Sequence, residues 1–182
     1  MDILVVGGGG REHAIIKKLK ESPEAGRIYA APGNGGISAD AVCVGIKATD
    51  IEGMVAFAKE KKIDFVVVAP DDPLVLGMVD ALNAVGIPAF GPTGAAAAIE
   101  GSKVFSKSLM KKYRIPTASY ETFDDPAQAV AYLKAQNKYP TVIKADGLAL
   151  GKGVVIPENE ADAVAAIHSM MEEGQFGESG RR

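Results

Sequence analysis

One cysteine in 182 residues excludes an internal disulfide and fits a reducing compartment. That residue, Cys43, lies within Ala41-Val42-Cys43-Val44, whose apolar neighbours predict a buried structural thiol rather than a nucleophile. No run of about 18 apolar residues occurs, so no membrane-spanning helix is expected. The start, Met1-Asp2-Ile3-Leu4-Val5-Val6-Gly7, lacks the basic region and the long apolar stretch of a signal sequence, which points to a cytoplasmic location. Net charge is only −3 and the charges are dispersed. The electrostatic footprint for nucleic acid or an anionic membrane is therefore missing, and neither is an expected partner. Any phosphate binding has to be local. No internal repeat is visible. What the chain has in ordinary measure is apolar residues, at 47%, usual for a globular core, and its 182 residues are long enough for one full domain and part of another.

Ile3-Leu4-Val5-Val6 and Phe65-Val66-Val67-Val68 are short continuous apolar runs, the pattern of parallel strands buried on both faces. Ile28-Tyr29-Ala30 and Ile87-Pro88-Ala89-Phe90 are weaker strand candidates. Ile51, Met54, Val55 and Ala58 form one apolar helical stripe, and Leu74 to Val85 can make a further helix with Asp72 as its N-cap and Pro73 at its first position. Residues 1–100 thus alternate strand and helix. The implied fold is a parallel α/β sheet with its ligand site at the carboxyl ends of the strands, where four loops should gather. Beyond Gly91-Pro92-Thr93-Gly94 the character changes. Ser102 is an N-cap candidate for a helix carrying Phe105, Leu109 and Tyr113, ended by Ile115-Pro116. A strand near Ser119 to Phe123 follows. Asp125-Pro126 opens another helix, and a last one carries Val164, Ile167, His168 and Met171, with His168 lining a face rather than binding a ligand.

Val142-Ile143-Lys144-Ala145-Asp146-Gly147-Leu148-Ala149-Leu150-Gly151-Lys152-Gly153-Val154-Val155 reads as strand, glycine-punctuated loop and returning strand, with two lysines to meet an anion. A Walker A loop is excluded. Three residues rather than four separate Gly147 from Gly151, glycine rather than serine or threonine follows Lys152, and the next segment is β-branched. Gly7-Gly8-Gly9-Gly10 follows the first strand and opens a helix at Arg11-Glu12-His13-Ala14, so uncovered N–H groups and the helix dipole can hold an anion there. The spacing fits a tight strand-to-helix turn equally well. A branched side chain at Gly9 should block such an anion site. A dinucleotide fingerprint is excluded, because Glu12 stands where its third glycine belongs and Tyr29-Ala30-Ala31-Pro32 ends without an acidic residue for a ribose.

Taken in order, Gly-Gly-Gly-Gly-Arg-Glu-His-Ala, Ala-Pro-Gly-Asn, Pro-Asp-Asp-Pro-Leu, Phe-Gly-Pro, Glu-Gly-Ser-Lys and Lys-Ala-Asp-Gly-Leu-Ala-Leu-Gly-Lys-Gly-Val resemble the glycinamide ribonucleotide synthetase (phosphoribosylamine-glycine ligase) family of the ATP-grasp superfamily. The resemblance runs the length of the chain. It implies a Rossmann-like, parallel-sheet domain before the ATP-grasp domain, over residues 1–100, that binds the phosphoribosyl substrate. An incomplete ATP-grasp lid subdomain of α+β type would follow over 101–182. The implied reaction belongs to purine biosynthesis. It joins glycine to 5-phosphoribosylamine through glycyl phosphate, cleaving ATP to ADP and phosphate with Mg or Mn.

By the same resemblance Lys103 and Lys144 contact ATP, and Asp146, Gly147, Gly151, Lys152 and Gly153 belong to the lid over its phosphates. Gly9, Gly10 and Arg11 receive the ribose phosphate, with Asn34 and Asp71 near the sugar and amine. Lys144, at the end of an apolar strand, would be costly as an unpaired buried ammonium, so it is expected to have an anionic partner. Residues 146 to 153 should be the least ordered part of the second unit without nucleotide. In the family glutamate is usual where Asp71 stands, which shortens any contact there by a methylene. The family's metal carboxylates, glycine site and remaining adenine contacts are expected beyond Arg182, with no metal site in this chain and a complementary C-terminal polypeptide as a partner. The chain alone is then expected to be inactive. Two other readings stay open: a different ATP-grasp ligase of a phosphoribosyl substrate, and a noncatalytic nucleotide- or phosphoribosyl-binding module.

Overall fold

A computed structural model describes residues 1–148 and 153–173, in two compact units, Met1–Ala98 and Ile99–Arg182. The first unit runs β1 (Ile3–Gly7), α1 (Gly10–Leu19), β2 (Ile28–Pro32), β3 (Val42–Cys43), α2 (Ile51–Glu60), β4 (Phe65–Val68), α3 (Asp71–Val75), α4 (Met78–Ala84) and β5 (Ala89–Phe90). The strands form one parallel sheet in the order β3-β2-β1-β4-β5. Alternation along β1 explains its unbroken apolar sequence. Leu4 and Val6 belong to a core with Met54 and Ala58 of α2 and Met78 and Leu82 of α4, while Ile3 and Val5 join Ile16 of α1 in a core on the other face. The chain leaves β1 first toward β2 and β3 and then resumes on its other side with β4. This reversal of direction makes the crevice between β1 and β4 the place where an open α/β sheet holds its ligand.

Two expectations for this unit are corrected. Cys43 is exposed, because β3 is a two-residue edge strand paired on one side only. The helix foreseen from Leu74 is broken in two. Pro70 takes the N-cap position and Asp71 the first helical one, so Pro73 sits in the first turn, where its missing N–H has no intrahelical partner to lose. At Gly77 the backbone turns left-handed, with φ +85°, and α4 starts afresh.

α5 (Gly94–Gly101) leads into the second unit, which continues with α6 (Lys103–Lys112), α7 (Pro126–Gln136), β6 (Ile143–Lys144), β7 (Val154–Val155) and α8 (Glu160–Met171). Local signals set the helix starts. The hydroxyl of Ser102 accepts the Phe105 N–H at 3.0 Å, and Asp125 accepts that of Ala127 at 2.8 Å with Pro126 in the first turn. β6 and β7 pair antiparallel, Ile143 opposite Val155 and Lys144 opposite Val154. The strand foreseen at 119–123 does not form. Among the described residues it has no neighbouring strand to ladder with, and Phe123 packs instead on Tyr132 of α7, ring centroids 5.3 Å apart. The buried stripe of α8 is Ala163, Ile167 and Met170, one residue round from the one foreseen, and His168 is exposed and bonded to Glu172 at 2.7 Å. No helix among the described residues is long and apolar enough to cross a membrane.

Candidate active site

The carboxyl ends of β1, β2 and β4 bring three of the sequence motifs together. The Gly33 N–H donates to Gly7 O at 3.1 Å, and the Asn34 side chain donates to Gly8 O at 2.6 Å. The Asn34 amide oxygen accepts the N–H groups of Gly36 and Ile37 at 2.7 and 2.9 Å. Asn34 is therefore mostly consumed in holding its own loop against the glycine loop, leaving one side-chain N–H for a ligand. Close approach dictates glycine on both sides: a Cβ on Gly8 would lie 2.5 Å from Gly33 O, and one on Gly7 would lie 2.9 Å from Pro70 of the β4 loop. Gly9, Gly10 and Arg11 are exposed at the start of α1, where the first N–H groups have no intrahelical partner, and a Cβ on Gly10 would meet nothing within 4 Å. Asp71 is exposed in the first turn of α3.

Residues that sequence reasoning missed complete this rim. Glu12 is buried, and its carboxylate accepts the Gly9 N–H. The spacing of a glutamate three residues after an N-cap carried that signal. Asp40 binds His13 at 2.8 Å, Lys20 at 2.7 Å and Lys17 at 3.5 Å. The hydrogen bonds from Lys20 and then His13 hold its carboxyl well below the usual carboxylate range. No local pattern announces a contact across 27 residues.

In the second unit Asp146 and Lys103 come together, though as parts of one internal network. Asp146 accepts Val104 N–H at 3.1 Å and the Ser102 hydroxyl at 3.0 Å, while the Lys103 ammonium donates to Gly147 O at 2.6 Å. Partial burial pushes the Asp146 carboxyl up. The hydrogen bonds from Val104, Ser102 and the Gly147 and Lys103 backbone outweigh it, and the net shift is downward. A carboxyl whose pKa is lower folded than unfolded adds stability that is complete above about pH 4 and is lost as pH falls through the folded value. Asp146→Asn is thus expected to be less stable than the parent chain at pH 7, with the gap closing below about pH 4 in urea titrations followed by circular dichroism. A gap independent of pH would contradict the network's dependence on the ionised form.

Lys144 is exposed, which corrects the expectation of a buried ammonium with an anionic partner. It makes no ion pair among the described residues. Side chains alternate along a strand, so Lys144 faces away from the side on which Ile143 is partly covered. Gly153 is buried and its carbonyl accepts the Ala145 N–H at 2.9 Å. Gly151 and Lys152, and with them residues 149–152 of the lid segment, lie outside the described residues. Among the described residues no group of three or more His, Cys, Asp or Glu side chains could hold a metal ion.

A family model described as "Phosphoribosylglycinamide synthetase, N domain" matches residues 1–100, and one described as "Phosphoribosylglycinamide synthetase, ATP-grasp (A) domain" matches 101–182. The chain belongs to the phosphoribosylglycinamide synthetase family. Curated relatives named phosphoribosylamine-glycine ligase include those of Listeria monocytogenes serotype 4b, 53% identical over 98% of this chain, and Agrobacterium fabrum, 51% identical over 99%. The chain spans about 43% of the length of the first and 42% of the second. Among solved structures, phosphoribosylamine-glycine ligase from Thermotoga maritima is 28% identical, with a TM-score of 0.76 over 98% of this chain and 41% of that one. N5-carboxyaminoimidazole ribonucleotide synthetase from the same organism shares the fold at 19% identity and a TM-score of 0.67, over 89% of this chain and 42% of that one. Against the phosphoribosylglycinamide synthetase family, the glycine rim lies within the N-domain match, and the Asp146 network lies within the ATP-grasp match.

Proposed function

We propose that this chain supplies the phosphoribosyl-binding domain, residues 1–100, and the first part of the ATP-grasp domain, residues 101–182, of an ADP-forming ligase that joins glycine to 5-phosphoribosylamine. In that reaction ATP converts the glycine carboxylate, a poor electrophile, to glycyl phosphate. The substrate amine then displaces phosphate, giving glycinamide ribonucleotide.

The observation that carries the reading is the open helix end at Gly10. It stands on the rim beside the β1/β4 crevice, with unpaired N–H groups, the exposed Arg11 guanidinium and nothing within 4 Å of a Cβ. A phosphate monoester fits those donors. Asn34 and Asp71 are then assigned to the sugar and amine. In the second domain the exposed Lys144, with Lys103, Asp146, Gly147, Gly151, Lys152 and Gly153, is assigned to ATP, the lysines offsetting the phosphate charge that would repel an incoming carboxylate. No residue of this chain is assigned to the Mg or Mn that the reaction would use. A cytoplasmic location accords with these soluble, charged substrates.

Calorimetric titration with ribose 5-phosphate tests the reading, and Gly10→Val is the informative variant. Its side chain enters open space within the fold, whereas a Cβ on Gly9 would already press on the Glu12 carboxylate at 2.8 Å. Expected are a melting temperature close to that of the parent chain and a loss of ribose 5-phosphate affinity of about tenfold or more, since one backbone hydrogen bond to a charged group is worth ~1.5–3 kcal/mol. Equal affinity in both proteins would make the loop a turn and nothing more.

A further inference from the structure

Glu12 is the one buried charged side chain among the described residues, 6% exposed, and the reaction as proposed gives it no task. It sits in the first turn of α1 with its carboxylate on the Gly9 N–H. Its Cγ and Cδ lie 2.7 and 2.8 Å from the point a Cβ on Gly7 would occupy, and Pro70 Cγ lies 2.9 Å from the same point. Glu12 and Pro70 thus close over Gly7, whose φ of +119° no other residue adopts readily, and tie the end of β1 to the loop after β4. A buried carboxylate is tolerable only where donors and dipoles face it, and the helix start provides both. The consequence for the loop is specific. One of its amides is already held from inside, and the next two residues, Gly10 and Arg11, are exposed at the helix start, where the amides have no intrahelical partner.

We infer that Glu12 is a positioning residue for phosphate binding: by holding the Gly9 N–H it fixes the glycine loop in the shape that presents the next amides to a single phosphate. The inference rests on the reading of the rim as a phosphate site. What it adds is that the length of the acceptor, rather than its charge, is what matters. Glu12→Gln keeps an oxygen at the same reach, whereas Glu12→Asp keeps the charge and withdraws it by a methylene.

The test is titration of ribose 5-phosphate into the whole chain and both variants, at a temperature where each is folded, together with amide hydrogen exchange of Gly9 by NMR. The expected result is affinity within about threefold of the parent for Glu12→Gln and a loss of about tenfold or more for Glu12→Asp, with Gly9 exchange accelerated only in the latter. A purely structural role would lower the melting temperatures without separating the affinities of the folded proteins in this order. Equal affinities in all three proteins overturn the inference, as does loss in Glu12→Gln with retention in Glu12→Asp. Absence of ribose 5-phosphate binding by the parent chain removes the phosphate reading itself, and the inference with it.

Discussion

Mixed with 5-phosphoribosylamine, glycine and MgATP, the 182-residue polypeptide is expected to show no glycine-dependent release of ADP. Acyl phosphate formation requires the γ-phosphate and the glycine carboxylate to be held in line, and alignment of reactants is worth ~7–11 kcal/mol, or roughly five to eight powers of ten in rate. The chain spans about 43% of its Listeria relative. Its described residues offer Lys103, already donating to Gly147 O, and Lys144, but no cluster of three or more His, Cys, Asp or Glu side chains that could hold a metal ion. Lysines can attract a polyphosphate without aligning an acceptor. Adding the remaining portion of a relative as a separate polypeptide is the complementary arm. Turnover that appears only in the mixture supports the proposed division of labour. Glycine-dependent turnover by the 182 residues alone sinks it, and tight ribose 5-phosphate binding with no turnover in either arm favours a noncatalytic binding module.

The parts of this fold that were legible in the sequence are those in which neighbours along the chain supply the physics. β1 and β4 are buried on both faces, so their sequences are apolar without interruption. Ser102 and Asp125 cap helices three and two residues away, respectively. The places where reading by sequence failed are those decided by distant residues. Cys43 looks internal among alanine and valines, yet exposure depends on β3 being the last strand of the sheet. Tyr120, Thr122 and Phe123 have strand character, but a strand needs a neighbour. Lys144 follows an apolar run and still points to solvent, because β6 is only two residues long and pairs with β7 alone.

The candidate site divides the same way. The glycine loop, the Asn34 turn and the lid lysines were visible as motifs, and the meeting of the first two at one rim followed from parallel strands. What holds them there was not visible. Asp146 reaches Ser102 across 44 residues, and Asn34 reaches Gly8 across 26. Both consume polar groups that, seen in the sequence alone, looked available to ligands. Asn34 and Asp146 are thus clamps of their own loops, which only their partner atoms reveal.

Gly8→Ala is expected to lower the melting temperature of the first unit by about 10 °C, whereas Gly10→Ala, two residues on, should leave it unchanged or slightly higher. The new Cβ at Gly8 would lie 2.5 Å from Gly33 O and 3.2 Å from Gly33 C, both backbone atoms. Neither side can yield cheaply. Gly33 N–H is bonded to Gly7 O, Gly8 O accepts from Asn34, and both segments end strands that ladder along their whole length from Ile3↔Ile28 to Gly7↔Pro32. Overpacking of this kind costs ~1–3 kcal/mol, and each kcal/mol moves the midpoint of a domain of about 100 residues by ~4–8 °C. At Gly10 the added methyl meets nothing within 4 Å and removes the conformational freedom that disfavours glycine in a helix. Scanning calorimetry of the two variants beside the parent chain makes the comparison, with the far-ultraviolet spectrum at 20 °C checking that each retains the fold. Coincident transitions for Gly8→Ala and the parent would mean that the β1 and β2 loops do not approach as closely as Gly8 and Gly33 imply. The rim would then lose the rigid seat on which the proposed phosphate binding depends.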